Sequence, residues 1–234
     1  AVPFNLYLLY TSSLENRYTY PNYLNVLAFH GNSSPFVMIL IIAVPVLTAV
    51  FLFRYLQSGK AADMVHALPI RRATLYHTHL LTGLILLFVP LLITALASWG
   101  LISGMAIKDL SGQDVLVWLG ISLLLNLLFF MTAVAAGMIT GMSIVQGVLT
   151  YILLFLPTGL SILVLHNLDH FIYGFAFDYY AETIIQSPLL RMMEFSAYPI
   201  HNSEMIAYLL ISLLLYAAGL WLYHRRALER AGNA

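Results

Sequence analysis

The chain has no cysteine, which excludes a disulfide framework, a thiol nucleophile and Cys-ligated zinc. Charge is nearly as scarce. Only 9% of the 234 residues are Asp, Glu, Lys or Arg, against roughly 25% in ordinary soluble domains. Ten basic residues balance ten acidic ones, so there is no bulk electrostatic case for binding nucleic acid. From Val115 to Leu165 no charged residue occurs at all. A phosphate-binding loop is also missing: Gly59-Lys60 is followed by Ala61, and position 54, five residues before Gly59, is Arg54. The chain instead carries 61% hydrophobic residues, which rules out a water-soluble globule and defines an all-α integral membrane protein.

A membrane helix needs about 20 mainly apolar residues to cross a hydrocarbon core of about 30 Å. Five runs qualify: 36–53, 80–99, 115–138, 147–165 and 206–223. The first is entered through Asn32, Ser33, Ser34 and Pro35, a cap followed by a proline suited to a first helical position, and is stopped by Arg54. The uncharged stretch from Val115 to Leu165 is far too long for one crossing at about 1.5 Å per residue. It is therefore expected to fold into two helices, with the turn near Thr140 to Gly147.

Five spans with short connections alternate sides, and Lys and Arg collect on the cytoplasmic side. If residues 54–79 are cytoplasmic, that side also holds the 140–147 turn and the tail 224–234. It then receives Arg54, Lys60, Arg71, Arg72, Arg225, Arg226 and Arg230, seven of the ten cations. The other side keeps Arg17, Lys108 and Arg191. Trp99, Trp118 and Trp221 fall near span ends, where amphipathic rings prefer to sit. This orientation puts the start of a chain that opens Ala1-Val2-Pro3 on the outer side. Residues 1–10 are accordingly expected to be the outer end of a preceding span, and 11–34 an outer loop, giving six spans with both ends cytoplasmic.

The polar, basic segment 54–79 is predicted to form a short helix on the cytoplasmic face. Gln57 to Leu68 suits a helix, Pro69 interrupts it, and Ile70 to His79 leads into the next span. Either these cations only anchor the topology and bind anionic headgroups, or the segment meets a partner. The outer segment 166–205 is too aromatic for a plain loop, with Phe171, Phe175, Phe177 and Tyr179 among its rings. A lid over an exit path and simple interfacial packing both fit it, and a short helix is predicted from Pro188 to Phe195. His166 and His170 have i, i+4 spacing, but Asn167 stands where a metalloprotease helix carries Glu, so no metal site is assigned.

No charged residue lies within a span, which weighs against proton-coupled transport and intramembrane proteolysis. The polar residues there, Thr82, Thr94, Ser122, Asn126, Thr132, Thr158, Ser161 and Ser212, are expected to hydrogen-bond between helices, with Asn126 facing protein. Ala133, Gly137 and Gly141 recur every four residues as a small-residue stripe for close helix packing, within the chain or between two chains.

The segment Ser58-Gly59-Lys60-Ala61-Ala62-Asp63-Met64-Val65-His66-Ala67-Leu68-Pro69-Ile70-Arg71-Arg72, together with the six-span layout, resembles the permease subunits of ABC-2-type bacterial ABC transporters. In that family the segment ends Leu-Pro-hydrophobic-Ser/Thr-Arg before the third span; here Arg71 replaces the hydroxyl residue. The tail Arg225-Arg226-Ala227-Leu228-Glu229-Arg230-Ala231-Gly232 is similar to basic endings of Gram-positive members whose chains continue further. The resemblance implies a multi-pass subunit of the bacterial plasma membrane with a cytoplasmic tail. It implies a second permease subunit, identical or related, and a separate cytoplasmic ATPase that carries ATP and Mg, this chain binding no cofactor. It implies ATPase coupling through Lys60, Asp63, Met64, His66, Arg71 and Arg72, and a substrate pathway, by expectation for export. The alternative is a non-transporting sensory or immunity component that binds a peptide or lipid at its outer segment.

Overall fold

The computed structural model describes residues 2–15, 35–58, 60, 61, 64, 67, 70–105, 111–172, 187–193 and 202–225. The described residues form helices, with a bend between two of them at 140–142 and no strand among them. In chain order the helices are α1 (Val2–Glu15), α2 (Pro35–Phe53), α3 (Arg72–Met105), α4 (Gly112–Ile139), α5 (Ser143–Phe171), α6 (Pro188–Met193) and α7 (Asn202–Arg225). A 3₁₀ turn, Arg54–Gln57, follows α2 directly.

Four helices, Arg72–Gly104, Gly112–Ile139, Ser143–Phe171 and Asn202–Arg225, are long and apolar enough to cross a membrane. The protein is a multi-pass membrane protein. At about 1.5 Å per residue each of the four is longer than a hydrocarbon core of about 30 Å, so their ends stand in the interfacial layers. The apolar α2, 19 residues long, fills the first predicted span.

Helix α4 is the axis of the bundle. It packs against α2, α3, α5 and α7, while α1 lies on α3 and α6 on α5. Every residue from Leu128 to Met138 is buried, the pattern of a helix surrounded on all sides rather than one with a single apolar stripe. Its start is set by a capping box. The Ser111 hydroxyl accepts from the Asp114 amide, and Asp114 Oδ2 accepts from the Ser111 amide at 2.8 Å, with its negative charge at the positive end of the helix dipole. Its end is a sharp bend at Thr140–Met142, where Thr140 takes extended backbone angles while its amide still bonds the Ala136 carbonyl. Gly83 on α3 supplies one close approach: a Cβ there would meet the ring of Phe130 on α4, so only glycine lets that buried ring lie against the α3 backbone.

The outward faces of α3, α5 and α7 carry large exposed apolar side chains, such as Ile85, Ile93 and Leu96, Val148 and Ile152, and Leu210 and Leu214. A water-soluble monomer does not present so much apolar surface; lipid tails do not penalise it. Pro45, Pro90 and Pro157 sit inside α2, α3 and α5. Each removes one helical amide donor, a loss tolerated where neighbours supply other partners.

Helix boundaries extend past several of the spans read from sequence. Helix α3 starts eight residues before Leu80, α5 runs from Ser143 to Phe171 rather than 147–165, and α1 continues through 11–15, part of the segment assigned to an outer loop. Hydropathy marks only the stretch inside hydrocarbon. Polar residues such as Thr78 or Asn167 continue a helix readily once it has left that layer.

Candidate functional site

The end of α2, the start of α3, the bend between α4 and α5, and the end of α7 meet at one end of the bundle. Side-chain bonds link them: Gln57 to Gln146, Tyr55 to Tyr223 and Tyr76 to Tyr216. Arg54, Lys60, Arg71, Arg72 and Arg225 belong to this basic end. Among the described cations, Arg191 alone belongs to the other end, where α6 and the start of α7 lie.

The basic end is built in two layers. The first is a packed group of rings from three helices and the 3₁₀ turn. Tyr76 is fully buried among Phe53, Tyr216 and Tyr223, and its hydroxyl donates to the Tyr216 carbonyl at 3.3 Å. Gly219 on α7 makes room for that hydroxyl, since a Cβ there would stand 2.7 Å from Tyr76 Oη. His77 and His79 face different neighbours, as residues two apart on a helix must. His77 Nδ1 lies 3.4 Å from the Tyr216 hydroxyl, while His79 stacks on Tyr55 with ring centres 4.8 Å apart.

The second layer is a polar network around Gln57, the last residue of the 3₁₀ turn. Gln57 Nε2 donates to Gln146 Oε1 at 2.6 Å, and Gln57 Oε1 accepts from the Ser143 hydroxyl. Gln146, fully buried, passes its own Nε2 to the Ala133 carbonyl of α4 at 2.9 Å. Its amide side chain crosses α4 over Gly137, where a Cβ would come within 2.5 Å of Gln146 Nε2.

Next to this layer, the described residues Ser58, Lys60, Met64, Ala67, Ile70 and Arg71 are exposed. Lys60, Ala61 and Met64 are helical, and Met64 is 72% exposed. Arg72, half-buried, opens α3. Asp63 and His66 lie outside the described residues.

At the opposite end Ser187 Oγ donates to the Leu154 carbonyl on α5 at 2.9 Å, three residues before Pro157. Arg191 on α6 pairs with Glu204 in the first turn of α7. Phe171 ends α5 and is 85% exposed. Phe175, Phe177 and Tyr179 lie outside the described residues. The rings of His166 and His170 are 5.0 Å apart on an exposed helix end, and among the described residues no group of three or more metal-ligating side chains forms.

The small-residue stripe is covered from within the chain. Ala133 and Gly137 are buried beneath Gln146, and Gly141 is partly buried in the bend. Asn126 faces the interior, 7% exposed.

Five of the intramembrane polar residues expected from sequence to bond between helices bond within their own helix instead. Thr82, Thr94, Asn126, Thr132 and Ser212 each bond a carbonyl four residues back on the same helix. In an apolar surrounding that carbonyl is the nearest acceptor available without moving a neighbouring helix. The Ser122 hydroxyl, also buried, has no partner among the described residues. Among the bonds that do join separate elements at the basic end, those of Ser143 and Gln146 come from residues that the sequence reading did not single out. One signal was present: Asn126 and Gln146 are the only two amide side chains in the uncharged stretch 115–165.

Compared with models of known protein families, with curated proteins and with solved structures, the chain matches none.

Proposed function

We propose that this chain is a transport permease of the ABC-2 type, one of two such subunits, identical or related, that form a substrate pathway across the bacterial plasma membrane. A separate cytoplasmic ATPase carries ATP and Mg, and its hydrolysis cycle drives the pathway between conformations, for export. The basic end is the cytoplasmic end, in keeping with five of the six described cations lying there.

The observation that carries the reading is the placement of the described residues between 54 and 72. An exposed segment with Lys60, Met64, Ile70 and Arg71 at its surface is rooted through Gln57 in the helices that make the bundle's core. A segment that only anchored topology would need its charges but not this root. Exposed Met64 and Ile70 between cations offer a partner both apolar area and charge, and Met adapts to irregular surfaces. No ionisable residue has to move within the spans for this mechanism, because the work enters from outside the membrane.

The test is co-purification of the intact protein with its neighbouring gene products. An ATPase should be retained by the native chain. Met64→Glu should weaken its binding or its coupling while leaving insertion intact. Unchanged association and coupling in Met64→Glu and Lys60→Glu would move the docking surface elsewhere, and a chain that retains no ATPase would favour the sensory or immunity alternative.

A further inference from the structure

We infer that Gln57 and Gln146 form a polar clamp that makes the base of the exposed segment and the α4–α5 bend move as one unit. The clamp deepens the permease reading and rests on it for its purpose, though its mechanics can be measured without it.

The network has a direction. Ser143 donates to Gln57, Gln57 donates to Gln146, and Gln146 donates to the Ala133 carbonyl. Each amide thus uses its oxygen as acceptor and its nitrogen as donor, which fixes both amide orientations without ambiguity. A buried primary amide is strongly disfavoured unless partnered, so Gln146 holds its place only while these bonds persist. The Gln146 backbone is engaged as well: its amide donates to the Met142 carbonyl at 3.0 Å, and its carbonyl accepts from Thr150 Oγ1 at 2.7 Å.

The rest of the basic end is held largely by ring and apolar packing, with longer hydroxyl bonds of 3.2–3.4 Å from Tyr55, Tyr76 and Tyr216. Phe53 and Leu56 pack by apolar and ring surface, which is not directional. The amide chain is directional. It joins three backbone segments, the 3₁₀ turn, α5 and α4, at a point where α4 has been stripped to glycine to admit it. A displacement applied at Lys60, less than one turn of chain from Gln57, passes through Gln146 to the bend at Thr140–Met142. Gln57, Gln146 and Gly137 are positioning residues: they touch no substrate, and they set how far a push on the segment travels.

The chain lacks cysteine, so spin labels attach only where cysteine is introduced. Ser58 and Met142, both exposed, flank the clamp. Full-length protein carrying Ser58→Cys and Met142→Cys, reconstituted in lipid nanodiscs, should give one narrow distance distribution. Gln57→Leu should add a second, longer population, raised about threefold or more for an interhelical hydrogen bond removed. Gly137→Ala should do the same by displacing Gln146, whereas Gly147→Ala, whose added methyl meets nothing within 4 Å, should leave the distribution narrow. Gln57 is only partly buried, so Gln57→Leu tests the clamp even if Gly137→Ala fails to fold. A distribution already broad in the otherwise native chain, or one unchanged by Gln57→Leu, overturns the clamp. ATPase retention by the native chain is scored separately. Retention with an unchanged distribution removes the clamp and leaves the permease; no retention with the predicted broadening does the reverse.

Discussion

Arg191 and Glu204 form a forked ion pair, Nε to Oε2 at 2.8 Å and Nη2 to Oε1 at 3.4 Å, and the guanidinium is almost wholly buried. The pair ties the short helix α6 to the first turn of α7, while Ser187 ties the start of the same helix to α5. A cation that looks like a stray charge on the outer side is therefore part of the seat of the segment between two spans. Removing one member takes the forked ion-pair partner from the other, most severely for the buried guanidinium. Glu204→Gln or Arg191→Met is expected to destabilise by about 3 kcal/mol, the low end for a broken buried pair because Glu204 keeps some exposure. The double variant Arg191→Met/Glu204→Leu should lose less than either single one, since it buries no lone charge. Unfolding of the purified protein in one detergent decides it, and single variants milder than the double would refute this account.

Gly219 and Tyr76 give a second, independent expectation. Gly219→Ala places a methyl 2.7 Å from a hydroxyl held at the tip of a rigid, fully buried ring, and overpacking of this kind costs about 1–3 kcal/mol. Tyr76→Phe alone loses a bond to the Tyr216 carbonyl, a deficit of about 1 kcal/mol. Combined, the two should be better than additive, because the phenylalanine lacks the atom that the methyl strikes. Gly100→Ala, with open space around its Cβ, is the control and should gain up to about 1 kcal/mol from helix propensity. Strict additivity of Gly219→Ala and Tyr76→Phe in thermal unfolding would mean that the clash lies elsewhere.

Four of the five predicted spans fall in helices long and apolar enough to cross a membrane, legible because hydrocarbon enforces apolar runs and because Arg225 and Asp114 stand where two of those runs stop or start. Their full lengths were not, since Arg72 to His79 is polar yet belongs to the same helix as Leu80. Asn126 facing inward was legible from cost alone: an amide is expensive in lipid. Which polar group meets which was not. Gln57 and Gln146 lie 89 residues apart, and nothing in either local pattern names the other. Gly137 was noticed as one of a small-residue series, but its reason, a side chain lying across it, exists only once α4 and α5 fold back on each other at Thr140–Met142. The docking candidates Asp63 and His66, and the outer rings Phe175, Phe177 and Tyr179, fall outside the described residues.

The proposed orientation rests on where cations remain exposed. The positive-inside rule counts Lys and Arg near span ends. Arg54, Lys60, Arg71 and Arg225 are exposed at one end of the bundle, whereas the one described cation of the other end, Arg191, is buried against Glu204 and so contributes little field to its surface. The asymmetry is thus sharper in the fold than in the bare count. Gln113, exposed in the first turn of α4, and Met64, exposed at the basic end, are on opposite sides and each can be made the only cysteine in the chain. In intact cells a membrane-impermeant maleimide should label Gln113→Cys and should reach Met64→Cys only after the membrane is opened. Labelling of both from outside would break the alternation of spans between them, and labelling of Met64→Cys alone would invert the protein and with it the assignment of the exposed segment to a cytoplasmic ATPase.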